Sequence, residues 1–335
     1  MDIAARRFLI TGGASMIGVR TAECLLAAGA QDVVLYDNLS FDAPDRAVRE
    51  LTSTGRARLV RGDVLDLPAL AEACAHIDGV FALAGFMSAG IAKDPALALD
   101  VNIRGVRHVL EACTAQRVAR LVFASSSAVY GYGAIGGAMS ESEPFHSAGV
   151  PAPPALYGAS KLIGEQLCHL YRARGGPEFV ALRYSTVYGE RQHYRSTNAL
   201  YIIEAYDRVA RGLAPVLYGD GLETKDFVHV GDVARANLLA MQSARSAQAY
   251  NISGGRPLTV RFLAETIIRL AGSDLAPEYR DTPSGGFRIT ADAPFHYDNG
   301  KAAQELGWTP AVSIEDGIAR LIAWRRGQAG TTIAG

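Results

Sequence analysis

The stretch FLITGGASMIG, residues Phe8–Gly18, decides the fold of this chain. It reads as a short apolar strand, a glycine-rich turn and the start of a helix. Glycines let backbone N–H groups approach a pyrophosphate, and the helix N-terminus stabilises its negative charge. The next predicted strand ends at Asp37, whose carboxylate can bind both hydroxyls of a ribose and repels a 2′-phosphate. The sequence therefore predicts a dinucleotide site that favours NAD over NADP.

Short apolar runs alternate with helix-period segments through the first half of the chain. The predicted strands are residues 7–11, 32–36, 57–61, 79–83, 120–124 and 179–183. The predicted helices between them are residues 17–28, 67–75, 96–116 and 157–174. Strand and helix in series indicate βαβ units and a parallel sheet that is buried on both faces. The predicted fold class is therefore α/β, a doubly wound parallel sheet.

The alternation loosens after about residue 185, where the glycine-rich turns increase. Helical periodicity returns at residues 232–241, 260–270 and 314–324, and residues 136–154 read as a polar, proline-rich loop that is a candidate lid. We predict a nucleotide-binding domain over residues 1–184, to which residues 226–245 return. A smaller α+β substrate-binding region takes residues 185–225 and 246–330.

Composition excludes several classes of function. The formal net charge is −1 and no basic block is present, so we expect no nucleic-acid partner. No apolar run approaches the roughly 20 residues that span a bilayer, and we expect no membrane segment. The four cysteines lack metal-ligand spacing, which favours reduced thiols and no metal site. The first seven residues are too short and too charged for a signal peptide, so we predict a cytoplasmic protein.

Ser126, Tyr157 and Lys161 are the candidate catalytic residues. Tyr157 and Lys161 are four residues apart, which places them on one face of a helix. A nearby ammonium favours the phenolate and is expected to lower the pKa of Tyr157 from its usual value of roughly 10. A serine hydroxyl from another element can hold a substrate oxygen beside the phenol. The three groups together can move a proton on or off a carbinol oxygen.

The chain resembles the extended short-chain dehydrogenase/reductase family, in its NAD-dependent epimerase/dehydratase branch. The strings that carry the resemblance are TGGASMIG, YDN, RGDVLD, FALAG, DVNIRG, SSSAVYG, YGASK, LRYSTVYG, TKDFVHVGDVARA and ELGW. The resemblance implies a Rossmann domain that binds NAD and a C-terminal region that covers the substrate. It also implies that Tyr157 is the acid/base, that Lys161 holds the nicotinamide ribose and that Ser126 assists at the substrate oxygen. Members often pair as homodimers through the helices that match residues 96–116 and 157–174.

The same resemblance assigns the cofactor-binding residues. Asp63 follows a predicted strand and is placed to contact the adenine edge. The full predicted set for NAD is Gly12, Ser15, Met16, Ile17, Gly18, Asp37, Asn38, Asp63, Val64, Leu83, Ala84, Gly85, Asn102, Tyr157 and Lys161.

Two departures from the family pattern bear on the reaction. Dehydratases and sugar-acid decarboxylases of the family usually carry an acidic residue two positions before the Tyr of VYG, and dehydratases add another just before it. Ala128 and Ser127 occupy these positions here. Elimination needs a base for the proton next to the ketone. The sequence therefore favours epimerisation or simple dehydrogenation over dehydration and decarboxylation. Ser15 replaces the usual middle glycine of the turn, and its side chain must avoid the pyrophosphate or hydrogen-bond to it.

Other departures weaken the expected clamp on a substrate diphosphate. Thr186 stands in place of a common Asn, and Lys225 in place of a common Arg, which loses bidentate binding of phosphate. Arg288 stands at a shifted position relative to the family's diphosphate-binding Arg, and structural pairing is as good an interpretation as phosphate binding for Arg183, Arg191 and Arg288. The predicted substrate-binding residues are Ser127, Thr186, Arg191, Lys225 and Arg288.

Three hypotheses follow for the function. The leading one is an NAD-dependent sugar epimerase, acting on a nucleotide-linked sugar through a keto intermediate. The alternative is an NAD-dependent dehydrogenase of a small hydroxy compound such as a sugar acid, which the weak phosphate clamp motivates. A non-enzymatic NAD-sensing scaffold is the third, and the presence of both Tyr157 and Lys161 argues against it.

Overall fold

The computed structural model of the protein describes residues 1–40, 46–131, 137–192, 200–281 and 295–329. The strands are β1 (Arg7–Thr11), β2 (Asp32–Asp37), β3 (Ala57–Arg61), β4 (Gly79–Ala82), β5 (Arg120–Ser126), β6 (Gly137–Met139), β7 (Glu178–Tyr184), β8 (Thr186–Tyr188), β9 (Val216–Tyr218), β10 (Thr224–His229), β11 (Gln248–Ile252), β12 (Pro257–Thr259), β13 (Glu278–Arg280) and β14 (Phe295–Tyr297). The helices are α1 (Met16–Ala27), α2 (Arg46–Ser53), α3 (Leu67–Ala73), α4 (Ser88–Lys93), α5 (Pro95–Leu99), α6 (Val106–Ala115), α7 (Ala152–Ala173), α8 (Leu200–Ala210), α9 (Val230–Gln242), α10 (Val260–Ala271), α11 (Gly300–Leu306) and α12 (Ile314–Ala329).

Within the described ranges, seven parallel strands form the central sheet in the order β11-β7-β5-β4-β1-β2-β3. Side chains of β1 alternate between its two faces: Phe8 and Ile10 pack in a hydrophobic cluster with α1 and α9, whereas Leu9 packs in a second cluster with α3, α6 and α7. Both faces are therefore covered, as near-continuous apolar strands require. The predicted α/β fold with a Rossmann-type parallel sheet is confirmed.

The strand β11 corrects the predicted boundary at residue 246. It pairs in parallel with β7, with Tyr250 beside Leu182, and both Tyr250 and Ile252 are fully buried. Residues 248–252 therefore belong to the central sheet and not to the smaller region. The strand was missed because its sequence, QAYNI, is short and carries two amide side chains, which weakens the apolar signal.

One predicted helix is confirmed and another begins earlier than predicted. Residues 95–115 are helical throughout, with a π-helical segment, Asp100–Gly105, between α5 and α6. Helix α7 begins at Ala152, inside the segment that was interpreted as a loop. Pro153 and Pro154 lie in its first turn, where the N–H that proline lacks has no intrahelical acceptor. The rest of the predicted lid includes β6, which pairs with β14.

The remaining elements build a smaller region with its own core. Strands β8, β10 and β12 form a three-stranded sheet, and α8, α10 and α12 pack around a separate hydrophobic cluster that includes Ile203, Leu263 and Ile318. The assignment of this region to substrate binding stays a prediction.

Across the part of the chain that the structure describes, no helix is long and apolar enough to cross a membrane.

Candidate active site

The glycine turn after β1 lies against the ends of its neighbouring strands. Gly12 has φ +67°, and a Cβ there would lie 3.1 Å from the backbone nitrogen of Ala84, which follows β4. A Cβ on Gly13 would lie 2.6 Å from Cα of Leu35, and one on Gly18 would lie 2.6 Å from the carbonyl oxygen of Gly12. These approaches leave no room for side chains. The turn therefore brings bare backbone to the carboxyl edge of the sheet, as binding of a pyrophosphate requires.

Ser15 caps the helix that follows this turn. Its Oγ accepts a hydrogen bond from the Gly18 N–H at 3.1 Å, and the residue is exposed. Because the hydroxyl acts as the acceptor in this bond, its proton remains available for donation to a phosphate oxygen. Met16 and Ile17 lie in the first turn of α1, whose N–H groups have no acceptor further back in the helix. The Ser15 replacement is therefore compatible with a bound pyrophosphate.

The ends of β2 and β3 hold two carboxylates in fixed orientations. Asp37 accepts hydrogen bonds from the N–H of Ala14 at 3.0 Å and from the N–H of Leu39 at 2.8 Å. The amide of Asn38 donates to Asp63 at 3.0 Å, which ties the two strand ends together. The structure thus brings Asp37, Asn38 and Asp63 to the same edge as the glycine turn, with Val64 buried immediately after Asp63.

Asn102 lies in the π-helical segment and holds the loop that follows β4. Its Oδ1 accepts from the N–H of Phe86 at 2.8 Å, and its Nδ2 donates to the Phe86 carbonyl at 2.9 Å and to Ser160 Oγ at 3.1 Å. The side chain is buried and engaged by protein groups. Asn102 thus holds the loop that follows Leu83, Ala84 and Gly85, and its predicted contact with NAD stays a prediction.

Ser126, Tyr157 and Lys161 meet at this edge. Ser126 lies close enough to Tyr157 for its hydroxyl to act on the pKa of the phenol, and its Oγ accepts a hydrogen bond from the Ala128 N–H at 3.2 Å. Lys161 is 6% exposed, and its Nζ donates to the Ala124 carbonyl at 2.9 Å. A Cβ on Gly85 would lie 3.3 Å from the same Nζ, so the lysine borders the loop after β4. The three predicted catalytic residues therefore lie together beside the candidate cofactor groove.

The pKa shifts of Tyr157 and Lys161 differ from the expectation. Burial raises the pKa of the Tyr157 phenol, and the Ser126 hydroxyl opposes that rise. Burial also lowers the pKa of Lys161 to about 8. The prediction that Lys161 lowers the pKa of Tyr157 is not met here, because the amine is desolvated and directed at the Ala124 carbonyl. The phenol is the stable form of Tyr157 at neutral pH in this state.

The predicted substrate residues do not all join this group. Ser127 follows Ser126 directly and is half-buried, and Thr186 is half-buried at the start of β8. Lys225 is exposed on β10 and lies 3.3 Å from a carboxylate oxygen of Glu223. The guanidinium of Arg191 binds Glu23 of α1 at 2.5 Å, and its role in substrate binding stays a prediction. Arg288 lies outside the described residues.

Arg183 and Glu165 form an ion pair that sequence reasoning found only in part. For Arg183, the structure shows the structural pairing, with a guanidinium nitrogen 2.7 Å from Glu165 Oε2. Both residues are at least nine-tenths buried. The overlooked signal was the position of Glu165, four residues after Lys161 on the same helix face, because a carboxylate buried with that face needs a cationic partner.

A glycine turn, a ribose-directed carboxylate and a Ser-Tyr-Lys group on one sheet edge define a dinucleotide-dependent enzyme that works on a carbinol carbon. Comparison with known proteins agrees: the model of the NAD dependent epimerase/dehydratase family matches residues 8–253. The chain belongs to this family.

Similar proteins include both epimerases and dehydratases. The crystal structure of the UDP-glucose 4-epimerase of Thermotoga maritima with UDP-glucose superposes with a TM-score of 0.84 at 30% identity, covering 96% of this chain and 99% of that one. The dTDP-glucose 4,6-dehydratase of an Actinoplanes species is 30% identical, over 96% of this chain and 98% of its own. The UDP-glucuronate 4-epimerase of Thermodesulfobacterium geofontis is 29% identical, over 95% and 96%.

NAD is the cofactor of the family, and the residues of this chain fit it. The close packing at Gly12, Gly13 and Gly18 leaves the helix N-terminus open to a pyrophosphate. The fixed carboxylate of Asp37 has acceptor capacity for ribose hydroxyls beyond its two backbone bonds.

Proposed function

We propose that this protein is an NAD-dependent epimerase of a nucleotide-linked sugar. The observation that carries the proposal is the placement of Ser126 at the end of β5 and of Tyr157 and Lys161 on α7, with Lys161 Nζ bonded to the Ala124 carbonyl of β5 and lying beside Gly85 at the carboxyl edge of the sheet. This edge is where parallel α/β sheets bind their ligands. The family membership and the nucleotide-sugar epimerases among the similar proteins support the same substrate class.

The residues divide the chemistry among them. NAD, when bound, would supply reversible hydride transfer at the sugar carbon. Tyr157 Oη, in its ionised phenolate form, takes the proton from the sugar hydroxyl and gives it back at the end. Ser126 Oγ donates a hydrogen bond to the same sugar oxygen and orients it. Lys161 Nζ, beside Gly85, is placed to hold the nicotinamide ribose.

The surroundings of Ser126 favour epimerisation over elimination. Ala128 is fully buried, and Ser127 is the residue between it and Ser126. Neither side chain can remove the proton next to a ketone, which a dehydratase needs. Elimination from a keto intermediate is therefore disfavoured, and return of the hydride gives the epimer.

The test is a product analysis with a panel of UDP- and dTDP-sugars. We expect conversion of at least one sugar into its C4 epimer, with no net absorbance of NADH. Tyr157→Phe is expected to reduce the rate by about 100-fold or more, because it removes the proton-transfer group. A 4-keto-6-deoxy product or accumulating NADH would contradict the proposal.

A second candidate is an NAD-dependent dehydrogenase of a small hydroxy compound. Two residues predicted to bind a substrate phosphate instead lie beside carboxylates, which favours this candidate. Arg191 binds Glu23, and Lys225 lies near Glu223. NADH release with small sugar acids, together with inactivity on every nucleotide sugar, would select this candidate.

Assembly and location are part of the proposal. Three apolar side chains, Leu156, Ile163 and Leu170, repeat every seven residues on α7 and are 40–43% exposed. Such a stripe suits helix pairing between two copies, which supports a homodimer. All four cysteines are unpaired, as expected of a protein in the reducing cytoplasm.

A further inference from the structure

A buried ion pair lies one helical turn beyond Lys161. Glu165 and Arg183 are 4% and 8% exposed. The guanidinium binds the carboxylate in a two-pronged contact, with Nε donating to Oε1 at 2.9 Å and Nη2 donating to Oε2 at 2.7 Å. Glu165 is four residues after Lys161, so both side chains lie on one face of α7.

Glu165 also binds the strand that carries Ser126. Ser125 Oγ donates to Glu165 Oε1 at 2.5 Å, and Ser125 is the neighbour of Ser126 at the end of β5. One carboxylate therefore fixes the distance between β5 and α7, the two elements from which Ser126 and Tyr157 project.

Arg183 binds Tyr130, which lies a few residues after Ser125 in the same short segment. Its Nη1 donates to the hydroxyl of Tyr130 at 3.0 Å and to the carbonyl of Glu141 at 2.9 Å. Tyr130 closes the 3₁₀ turn Ser127–Tyr130 and donates in turn to Asn251 Oδ1 at 2.5 Å. The segment from Ser125 to Tyr130, with Ser126 inside it, is thus held at both ends by one ion pair.

We propose that Arg183 and Glu165 are positioning residues for the reaction, which set Ser126 against Tyr157; the inference rests on the proposed function. A buried ion pair is weak evidence for stability, since apolar residues of similar volume often stabilise as well. The fixed geometry that the ion pair imposes explains its presence better than a gain in stability does. A displacement of about 1 Å at reacting groups can cost about 100-fold in rate.

The test separates stability from catalysis with two variants. Glu165→Gln leaves a buried guanidinium without its charge partner, and we expect the melting temperature to fall by about 5 to 10 °C. Glu165→Gln combined with Arg183→Met removes both charges, and at least half of that loss should return. We expect kcat to stay about 100-fold below wild type in the double variant, with KM and NAD affinity within about threefold. A kcat that recovers together with the melting temperature would overturn the proposal.

A milder variant of Arg183 and a control ion pair elsewhere in the protein are tested as well. Arg183→Lys keeps the charge but cannot hold Glu165 and Tyr130 together, so kcat should fall at least about tenfold while the fold is retained. The control is the two-pronged pair of Arg325 and Asp207, at 2.8 and 3.1 Å between α12 and α8. Asp207→Asn combined with Arg325→Met should leave kcat within about twofold, since this half-buried pair joins two helices of the smaller region and, within the described residues, bonds to neither β5 nor α7.

Hydrogen exchange gives a readout that needs no substrate. We expect amides of residues 120–131 to exchange faster in the double variant than in wild type, with residues 200–210 unchanged. Equal exchange over residues 120–131 would overturn the positioning role. Inactivity of the wild type on every nucleotide sugar would instead contradict the proposed function, and the exchange result would still decide this inference.

Discussion

At the scale of single residues, the site is defined by desolvation. Burial acts in opposite directions on its two titratable groups, raising the pKa of Tyr157 and lowering that of Lys161. Both shifts favour the uncharged form, as a low-dielectric environment demands. The spacing of Tyr157 and Lys161 predicted that both lie on one helix, and both lie on α7. It did not show that the amine is directed at a backbone carbonyl, since that depends on the position of β5.

The lysine predicts a specific dependence of stability on pH. Its pKa is about 8 in the folded protein and 10.5 in a model peptide. Between these values the unfolded chain binds more protons, so the free energy of unfolding rises with pH. Relative to Lys161→Met, the wild type should gain up to about 3 kcal/mol from pH 7 to pH 11.

The measurement is urea unfolding of the NAD-free protein at a series of pH values. Lys93→Met, at an exposed position on α4, corrects for the loss of one lysine as such. A stability difference between wild type and Lys161→Met that is flat across this range would contradict the burial of the amine.

At the scale of elements, the glycine turn is set by contact as well as by backbone conformation. Gly12 and Gly55 both have positive φ, +67° and +69°, but only Gly12 has neighbours within 4 Å of its Cβ position. Gly55→Ala should therefore cost about 1 kcal/mol from backbone strain alone. Gly12→Ala should cost more and weaken NAD binding at least about tenfold, because the turn must move away from Ala84.

Calorimetric titration with NAD and thermal unfolding of the two variants check this prediction. Equal NAD affinity in Gly12→Ala and Gly55→Ala would show that the turn does not carry the cofactor. Comparing the two variants separates the effect of steric crowding from that of backbone strain, because the two glycines share their backbone conformation.

Elements with strong periodicity could be predicted, and those that depend on tertiary contacts could not. The strands β1 and β3 were predicted at their observed bounds from apolar runs alone. Strand β11 was missed because Gln248 and Asn251 interrupt its apolar pattern, and the buried Asn251 side chain depends on tertiary bonds to Tyr130, Met139 and Asp298. The same holds for Glu165, whose partner Arg183 is 18 residues away and meets it only in the folded sheet.

At the scale of the whole molecule, the exposed stripe on α7 predicts a dimer. Ile163→Glu places a charge at the centre of the stripe, and we expect the wild-type dimer to become a monomer in sedimentation or light scattering. Leu213→Glu is the matched control, because Leu213 is 48% exposed and lies outside α7. A wild-type monomer, or a dimer that survives Ile163→Glu, would contradict the predicted interface.

In the proposed epimerisation, hydride leaves the sugar and returns to the same carbon. The most direct measurement uses a nucleotide sugar that carries deuterium at C4, with mass spectrometry of the epimer. The account predicts that the epimer keeps the deuterium and that NADH does not accumulate. Deuterium lost to solvent, or recovered in released NADH, would contradict it.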